Sequence, residues 1–306
     1  LRLSPRNFQT LEQAEDYEVK CAGTESNVAV GLARLGLIVA WFSRMVDNPI
    51  GRKIANSIRA LGVDVSHVIW TDEGRNGTAF MELGVPPRVS EVVYDRKGSA
   101  ASLMKTDEVD WSLLDAAKHL HVTGITAAIS QSSAACVEKS IEDTRRRGKT
   151  VSFDVNYRKK LWTEEEAARI LSPMMQNLDV LFLTREDAAQ IFEIEGEPEE
   201  AARKIQKKFG SEWTVLTLGA DGALILEGET IHRKESFPVQ TIDRIGAGDA
   251  FVAGCLFGFL RDDLEIALNY GLAMAALKMA TPGDLSFATV PQIEELIQGA
   301  GRSVRR

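Results

Sequence analysis

The segment Asp243–Asp249, with the sequence DRIGAGD, combines residue types that can bind an anion and move a proton. Small residues open a helical stretch here, and the first N–H groups of a helix have no acceptor within it. Gly246 and Gly248 let such amides approach an anion closely. Asp249 then suits a general base that deprotonates a hydroxyl while the amides receive a phosphoryl group. The segment alone also fits an ordinary helix N-terminus capped by Asp.

A second glycine-rich turn, Leu218–Ala223, separates two strand-like runs. Its sequence, LGADGA, predicts either a plain β-turn or, in a phosphoryl-transfer enzyme, a place where a nucleotide lies against the backbone. The chain contains no GxxxxGK[ST] segment and no GxGxxG after an early strand. These absences exclude a P-loop and a dinucleotide-binding fingerprint.

Two arginines in separate segments could hold an acid group. Arg96 ends a hairpin-like stretch, and Arg158 follows the predicted strand Val151–Asp154. Binding crevices of open α/β sheets lie outside the carboxyl ends of strands, and the planar fork of Arg matches a carboxylate with two parallel hydrogen bonds. The pair therefore indicates a substrate with an acid group, while surface ion pairs are the alternative for each arginine alone.

Strand-like and helix-like segments alternate from about Ser26 onward, which predicts an α/β fold with a mostly parallel sheet and helices on its faces. The predicted strands share short apolar runs: Val39–Phe42, Leu120–Val122, Val151–Asp154, Val180–Leu183 and Val215–Leu218. The predicted helices are Ser26–Leu35, Ile50–Leu61, Ser133–Arg147, Glu164–Gln176, Arg185–Phe192, Glu199–Lys208, Asp249–Phe259, Leu264–Met279 and Pro291–Ile297.

Residues 74–102 alternate apolar and polar side chains around Pro86 and Pro87, the pattern of an antiparallel hairpin. With residues 1–20 it predicts a small β lid on one α/β domain that covers 1–306. The opening LRLSP has the pattern of a strand, and we expect part of that strand to precede Leu1.

Composition limits the possible partners. Lys and Arg total 36 against 44 Asp and Glu, a net charge of −8, which argues against nucleic-acid or anionic membrane partners. The three cysteines form no CxxC pair, and no apolar run approaches the ~18–20 residues of a membrane span. A cytoplasmic protein is expected. His119 and His121 lack metal-site spacing and are expected to be ordinary strand residues.

Two signatures together resemble the ribokinase (PfkB) sugar kinases: Cys21–Ala29 (CAGTESNVA) with ARLG after it, and Asp243–Gly254. The segments LRLSP, YDRKGSAAS, HVTGITAAIS, DVNYRKKLW and PGD are similar to the branch that acts on 2-keto-3-deoxygluconate. The resemblance implies a ribokinase-like three-layer α/β/α fold. It also implies ATP-dependent phosphorylation of the C6 hydroxyl of this sugar acid, Mg²⁺ as cofactor, and a homo-oligomer formed through the β lid.

The resemblance also implies site residues. Asp249 would be the base, and Gly246, Ala247 and Gly248 would supply the anion hole. Substrate contacts would come from Gly23, Asn27, Tyr94, Arg96, Arg158 and Asp284. Nucleotide contacts would come from Asn156, Thr184, Thr217, Gly219, Ala220, Gly222, Gly246 and Gly248. Asp187, in TRED at the place of the family's NxxE, would help to organise the metal.

Four positions depart from the family pattern and affect the expected specificity: Ala79, Asp95, Thr217 and Asp221. The sequence leaves three alternatives open. One is a kinase of the same fold that acts on a neutral sugar, and another is a kinase of 2-keto-3-deoxygalactonate. The third is a sugar-acid or nucleotide sensor without catalytic activity, against which the intact DRIGAGD segment counts.

Overall fold

The computed structural model describes residues 1–85 and 87–299. The strands are β1 (Arg2–Pro5), β2 (Tyr17–Lys20), β3 (Val39–Ala40), β4 (Ser43–Val46), β5 (Val63–Asp64), β6 (Val68–Thr71), β7 (Thr78–Glu82), β8 (Glu91–Asp95), β9 (His119–Thr123), β10 (Thr150–Asp154), β11 (Val180–Thr184), β12 (Trp213–Thr217), β13 (Ala223–Glu227) and β14 (Thr230–Lys234). The α-helices are α1 (Thr24–Arg34), α2 (Pro49–Arg59), α3 (Leu113–Ala116), α4 (Gly124–Ile129), α5 (Gln131–Arg146), α6 (Glu164–Met174), α7 (Arg185–Phe192), α8 (Pro198–Phe209), α9 (Ala247–Phe259), α10 (Leu264–Met279) and α11 (Val290–Ile297).

Six strands form the main sheet, in the order β14–β13–β12–β11–β10–β9. Strands β9 to β12 run parallel, β13 pairs antiparallel with β12, and β14 pairs antiparallel with β13. The residues Val180–Leu183 of β11 are all buried, as expected for a parallel strand that is covered on both faces. The predicted mostly parallel sheet is confirmed.

Helices cover both faces of the main sheet, which gives three layers. Successive side chains of a strand point to opposite faces, so Leu181 and Leu183 belong to one apolar core and Val180 and Phe182 to the other. The first core contains buried residues of α5 to α8, and the second contains residues of α1, α9, α10 and α11. The α/β/α expectation is therefore confirmed.

A second sheet of four strands, here called the small sheet, has the order β2–β1–β7–β8. The hairpin predicted in residues 74–102 is confirmed as β7 and β8, although Pro86 of its predicted turn lies outside the described residues. One face of the small sheet carries residues that line a cavity: Arg2, Ala79, Met81, Val92 and Tyr94. One row of paired positions on the opposite face is apolar: Val19, Leu3, Phe80 and Val93.

The strand predicted at Val39–Phe42 is wrong in extent and in pairing. The chain forms β3 and β4 there, which pair in parallel with β5 and β6 in two small sheets apart from the main sheet. The ring of Phe42 packs edge-on against Trp111, with centroids 6.1 Å apart. Phe42 lies between the two strands, and the chain changes partner there, from β5 to β6.

The histidines and cysteines behave as the sequence indicates. His119 contacts the hydroxyls of Thr150 and Ser152 at 2.8 Å, and Nδ1 of His121 also lies 2.8 Å from Ser152. Burial lowers the pKa of His119 to about 4 and that of His121 to about 3, so both stay neutral. The three cysteines are buried and free. Across residues 1–85 and 87–299, no helix has the length and apolar character that crossing a bilayer requires.

Candidate active site

A cavity of about 1760 Å³ includes the carboxyl ends of three parallel strands, is bordered by the small sheet, and extends along β9 as far as Lys118. Asp154 ends β10, Thr184 ends β11 and Thr217 ends β12, and all three residues line the cavity. Crevices at this edge are the usual binding sites of open α/β sheets. The cavity is therefore the candidate active site.

The N-terminus of α9 opens into this cavity. Gly246 precedes the helix with φ +79°, and a Cβ there would lie 2.0 Å from the carbonyl oxygen of Asp284, so only glycine fits. The N–H of Ala250 makes the first bond of the helix, to the oxygen of Gly246 at 2.9 Å. The amides of Gly248 and Asp249 lie ahead of that bond and can bind an anion.

Asp249 lies in the first turn of α9, is buried, and accepts a hydrogen bond of 2.6 Å from Nδ2 of Asn27. Asn27 belongs to α1, which packs closely on α9 where Gly31 faces Ala253. Burial raises the pKa of Asp249 to about 6, against the opposing effects of Asn27 and Arg158. A carboxylate with this pKa is ionised at neutral pH and can accept a proton from a hydroxyl.

Arg96 presents an unpaired guanidinium edge. The group lies over the ring of Tyr94, 3.9 Å from the ring centroid, while Nε and Nη2 are buried without a hydrogen-bond partner in the described chain. Burial lowers the pKa of Arg96, and the nearby charge of Arg158 lowers it further. Nε and Nη2 form the edge of the guanidinium that binds a carboxylate through two hydrogen bonds, so the geometry fits an acid group.

Arg158 lies close enough to Arg96 and to the acidic residues of the cavity to affect the pKa values of both. Its Nη1 donates to the carbonyl of Tyr157 at 2.9 Å, and the side chain is exposed to the cavity. Its positive charge lowers the pKa values of Asp249, Asp154 and Asp187. The guanidinium of Arg158 can therefore contact a ligand bound near Arg96 or one bound near Asp249.

Asp154 holds the turn that carries Asn156 and Arg158. Its carboxylate accepts hydrogen bonds of 3.1 Å from both the N–H and the Nδ2 of Asn156, which has φ +41°. Burial, then the charges of Asp249 and Asp187, raise the pKa of Asp154 to about 8. Asp154 is thus a structural acid in a negatively charged part of the cavity.

Asp187 is the carboxylate that fits a metal ion carried by a nucleotide. It is buried in the first turn of α7, its N–H donates to Oγ1 of Thr184 at 2.9 Å, and burial raises its pKa. No group of three His, Cys, Asp or Glu residues in the described ranges could hold a metal alone. Mg²⁺ commonly binds through one or two carboxylates plus substrate phosphates, which this donor set matches.

The structure brings together most of the residues that the sequence predicts for the site. Those of the substrate group that line the cavity are Gly23, Asn27, Tyr94, Arg96, Arg158 and Asp284. Those of the catalytic, nucleotide and metal groups are Asn156, Thr184, Asp187, Thr217, Gly246, Gly248 and Asp249. Ala247 lies between two lining residues in the first turn of α9.

The turn with Gly219, Ala220 and Gly222 does not line the cavity. It joins the antiparallel strands β12 and β13, and a Cβ on Gly222 would lie 2.0 Å from the carbonyl oxygen of Lys234. Packing of the turn against β14 therefore explains this glycine without a ligand. The contact of the turn with a nucleotide stays a prediction.

Two of the departures from the family pattern have visible consequences. Ala79 lines the cavity from the small sheet and offers only a methyl group there. Asp95 forms an ion pair with Arg75 and does not line the cavity. Ala79 therefore contributes no polar group to the cavity.

Sequence reasoning missed several charged residues of this region. Glu25 lines the cavity and accepts hydrogen bonds from the hydroxyls of Thr123 and Thr126 at 2.7 and 2.5 Å. Arg2 and Asp154 also line it, and Asp154 had a signal in the sequence, since it directly follows an apolar strand. Arg2 had a weaker signal, a charge between leucines in a strand.

A main sheet covered on both faces, with a buried carboxylate at an anion-binding helix N-terminus, defines a sugar kinase of ribokinase-like fold. The chain belongs to the pfkB family of carbohydrate kinases, whose family model matches residues 2–290. The family resemblance and the fold expected from the sequence are thereby confirmed.

Relatives of known name differ in their sugar. The chain is 35% identical over 307 residues to a 2-dehydro-3-deoxygalactonokinase of Haloferax volcanii, covering 100% of this chain and 96% of the relative. It is 31% identical to a 2-dehydro-3-deoxygluconokinase of Thermotoga maritima of known crystal structure, with a TM-score of 0.93 and coverage of 98% and 95%. A putative ribokinase II of E. coli, in complex with ATP and Mg²⁺, shares the fold at 22% identity, with a TM-score of 0.89 and coverage of 98% and 96%.

Proposed function

We propose that this kinase transfers the γ-phosphoryl group of ATP, with Mg²⁺, to the C6 hydroxyl of 2-keto-3-deoxygluconate (2-dehydro-3-deoxygluconate). One observation carries the proposal: Arg96, whose buried Nε and Nη2 have no hydrogen-bond partner in the described chain, and Asp249 line the same cavity. A neutral sugar would leave the buried N–H groups of Arg96 without an acceptor, which is unfavourable. An acid substrate satisfies them.

Asp249 takes the proton of the C6 hydroxyl as that oxygen bonds to the γ-phosphorus and the bond to the β-phosphate oxygen breaks. Asn27 holds the carboxylate in place through its hydrogen bond of 2.6 Å. The amides of Gly248 and Asp249 stabilise the charge that develops on the phosphoryl oxygens. Arg158 contacts the carboxylate of the sugar acid or the phosphates.

The nucleotide lies along the carboxyl ends of β10 to β12, where Asn156, Thr184 and Thr217 line the cavity. Asp187 would hold the Mg²⁺, which neutralises charge on the phosphates when bound. A protein that shares the fold is known in complex with ATP and Mg²⁺, which supports these two ligands for the cavity. The turn at Gly219–Gly222 would border the nucleotide from outside the cavity.

A second substrate candidate is 2-keto-3-deoxygalactonate, the epimer at C4. The relative from Haloferax volcanii, matched over the whole chain, favours it. Arg96 recognises the acid group common to both epimers, so discrimination depends on groups near the sugar hydroxyls, among them Asp284. A neutral-sugar kinase is disfavoured by the unpaired edge of Arg96.

A substrate panel tests the proposal. We expect kcat/KM for both keto acids to exceed that for fructose and ribose by at least about 10²-fold, since a site built for a hydrogen-bonded group rejects analogues that lack it. Arg96→Gln should raise KM for the keto acid at least tenfold. The matched control is Arg75→Gln, on the same hairpin but paired with Asp95 outside the cavity. Equal use of neutral sugars, or an unchanged KM in Arg96→Gln, contradicts the proposal.

We also propose that the small sheet is a lid and that its outer face binds a second copy of the chain. Its inner face borders the cavity, while one row of the outer face (Val19, Leu3, Phe80 and Val93) is apolar across all four strands. Val19 and Val93 are exposed. A symmetric pairing of two such faces would bury them and the free edges at β2 and β8.

A further inference from the structure

Arg2 is a charged residue in the interior of the molecule. It lies on β1, between β2 and β7 of the small sheet, and its side chain is only 4% exposed. Burial of a guanidinium is unfavourable unless its charge and its N–H groups are matched. The partners of Arg2 therefore indicate what the residue does.

Those partners come from two segments that meet just before α9. One is Asp243–Asp249, here called the anion-binding turn, and the other is the segment around Asp284. Nη2 of Arg2 donates to Oδ2 of Asp243 at 2.8 Å, and Nε lies 3.2 Å from Oδ2 of Asp284, an ion pair without hydrogen-bond geometry. The backbones of these segments touch where Gly246 meets the carbonyl of Asp284. The guanidinium of Arg2 thus lies next to a carboxylate from each of the two segments.

The carboxylate of Asp243 also binds backbone N–H groups of both segments. Its Oδ1 accepts a hydrogen bond from the N–H of Ile245 at 3.1 Å, and its Oδ2 accepts one from the N–H of Gly283 at 2.9 Å. Burial opposes its ionisation, but the bonds with Arg2 and Gly283 hold its pKa below the usual value. The orientation of this carboxylate therefore fixes the backbone just before the anion-binding amides.

A second buried cation completes the cluster. Lys278 is 1% exposed, and its Nζ donates to the carbonyl oxygens of Asp243 and Thr281 at 2.9 and 3.2 Å. Arg2 and Lys278 match the charges of Asp243 and Asp284, so the four groups together are neutral. Both cations connect the segment before Gly246 to the segment around Asp284.

We propose that Arg2 is a positioning residue for phosphoryl transfer. Arg2 connects strand β1 of the small sheet to the anion-binding turn, and Lys278 bonds the backbone of the same turn at Asp243. This inference rests on the proposed kinase reaction and adds to it the residues that keep the amides of Gly248 and Asp249 in place. It also couples the position of the small sheet to the geometry of the anion hole.

The test is the substitution Arg2→Lys, which keeps the charge but loses the fork that reaches two carboxylates. We expect kcat to fall at least tenfold, with KM for ATP and the calorimetric Kd for the keto acid within threefold of wild type. Hydrogen exchange at the amides of residues 243–249 should become faster. Lys278→Met is the second variant, and it should change the same two quantities in the same direction.

Arg44→Lys is the matched control. Arg44 also lies on a strand, has a side chain that is 3% exposed, and pairs with two carboxylates, Glu73 at 2.8 Å and Glu108 at 3.0 Å. Arg44→Lys should lower the free energy of unfolding about as much as Arg2→Lys does. Hydrogen exchange at the amides of residues 243–249 should stay as slow as in wild type. A kcat in Arg2→Lys equal to that of Arg44→Lys, with unchanged exchange in residues 243–249, overturns the inference. Failure of the proposed function would be distinguishable from failure of this inference. Wild type would then phosphorylate no keto acid, while the hydrogen-exchange comparison would still test whether Arg2 holds the anion-binding turn.

Discussion

The ionisation of Asp249 depends on its burial, on Asn27 and Arg158, and on the smaller opposing charges of Asp284 and Glu25. Burial opposes the negative charge, whereas the hydrogen bond from Asn27 and the charge of Arg158 favour it, and the result is a pKa of about 6. A base must be ionised to accept a proton, so kcat/KM should fall as the pH drops through this value. The amide of Asn27 therefore has a measurable role beyond packing.

For Asn27→Leu we expect the acidic limb of the kcat/KM profile to move upward by about one pH unit. Loss of a hydrogen bond to a charged group destabilises it by roughly 1.5–3 kcal/mol, and one pKa unit is about 1.4 kcal/mol. The sign follows because a carboxylate that loses its donor is protonated at higher pH. The control is Asn56→Leu on the exposed side of α2. A limb that stays in place refutes this role for Asn27.

Local and distant parts of the site differ in how well the sequence predicts them. The anion-binding turn is contiguous, so the residue types of DRIGAGD suffice to identify Gly246 and Asp249. The partner of Asp249, Asn27, stands 222 residues away, and only the resemblance placed it in the site. The pairing of Arg2 with Asp243 spans 241 residues, and no local pattern encodes it.

At the scale of elements, the start of α9 determines where the anion can bind. Buried strands with clear apolar runs, such as β11, and helices with clear periodicity, such as α7 and α10, were predicted nearly to the residue. The end of β3 at Ala40 and the start of β4 at Ser43 were missed because they depend on tertiary pairing. A glycine with a positive φ at Gly246 makes the α9 N-terminus especially sensitive to substitution.

Gly246→Ala tests this element. The added Cβ would meet the carbonyl of Asp284 at 2.0 Å, so the turn must move and its amides with it. We expect kcat to fall by about 10²–10³, the usual effect of losing an oxyanion-hole donor. Gly148→Ala is the control, since Gly148 has φ +65° but no atom within 4 Å of an added Cβ. Equal activity of the two variants contradicts the importance of this contact.

At the scale of the whole molecule, the small sheet has one face that borders the cavity and an apolar row on the other face, in which Val19 and Val93 are exposed. We expect a dimer in solution by light scattering at micromolar concentration, because pairing two such faces removes apolar surface from water. Val93→Glu should give a monomer, and Ile50→Glu, at a similarly exposed apolar position on α2, should not. A monomeric wild type would rule out the proposed pairing.

The central claim is that Asp249 is the base for phosphoryl transfer to the sugar hydroxyl. The most direct measurement is the rate of keto-acid phosphorylation by wild type and Asp249→Asn, with the Kd of each ligand measured by calorimetry. The account predicts that kcat falls by roughly 10²–10⁴ while both Kd values stay within threefold. A kcat within threefold of wild type would contradict it.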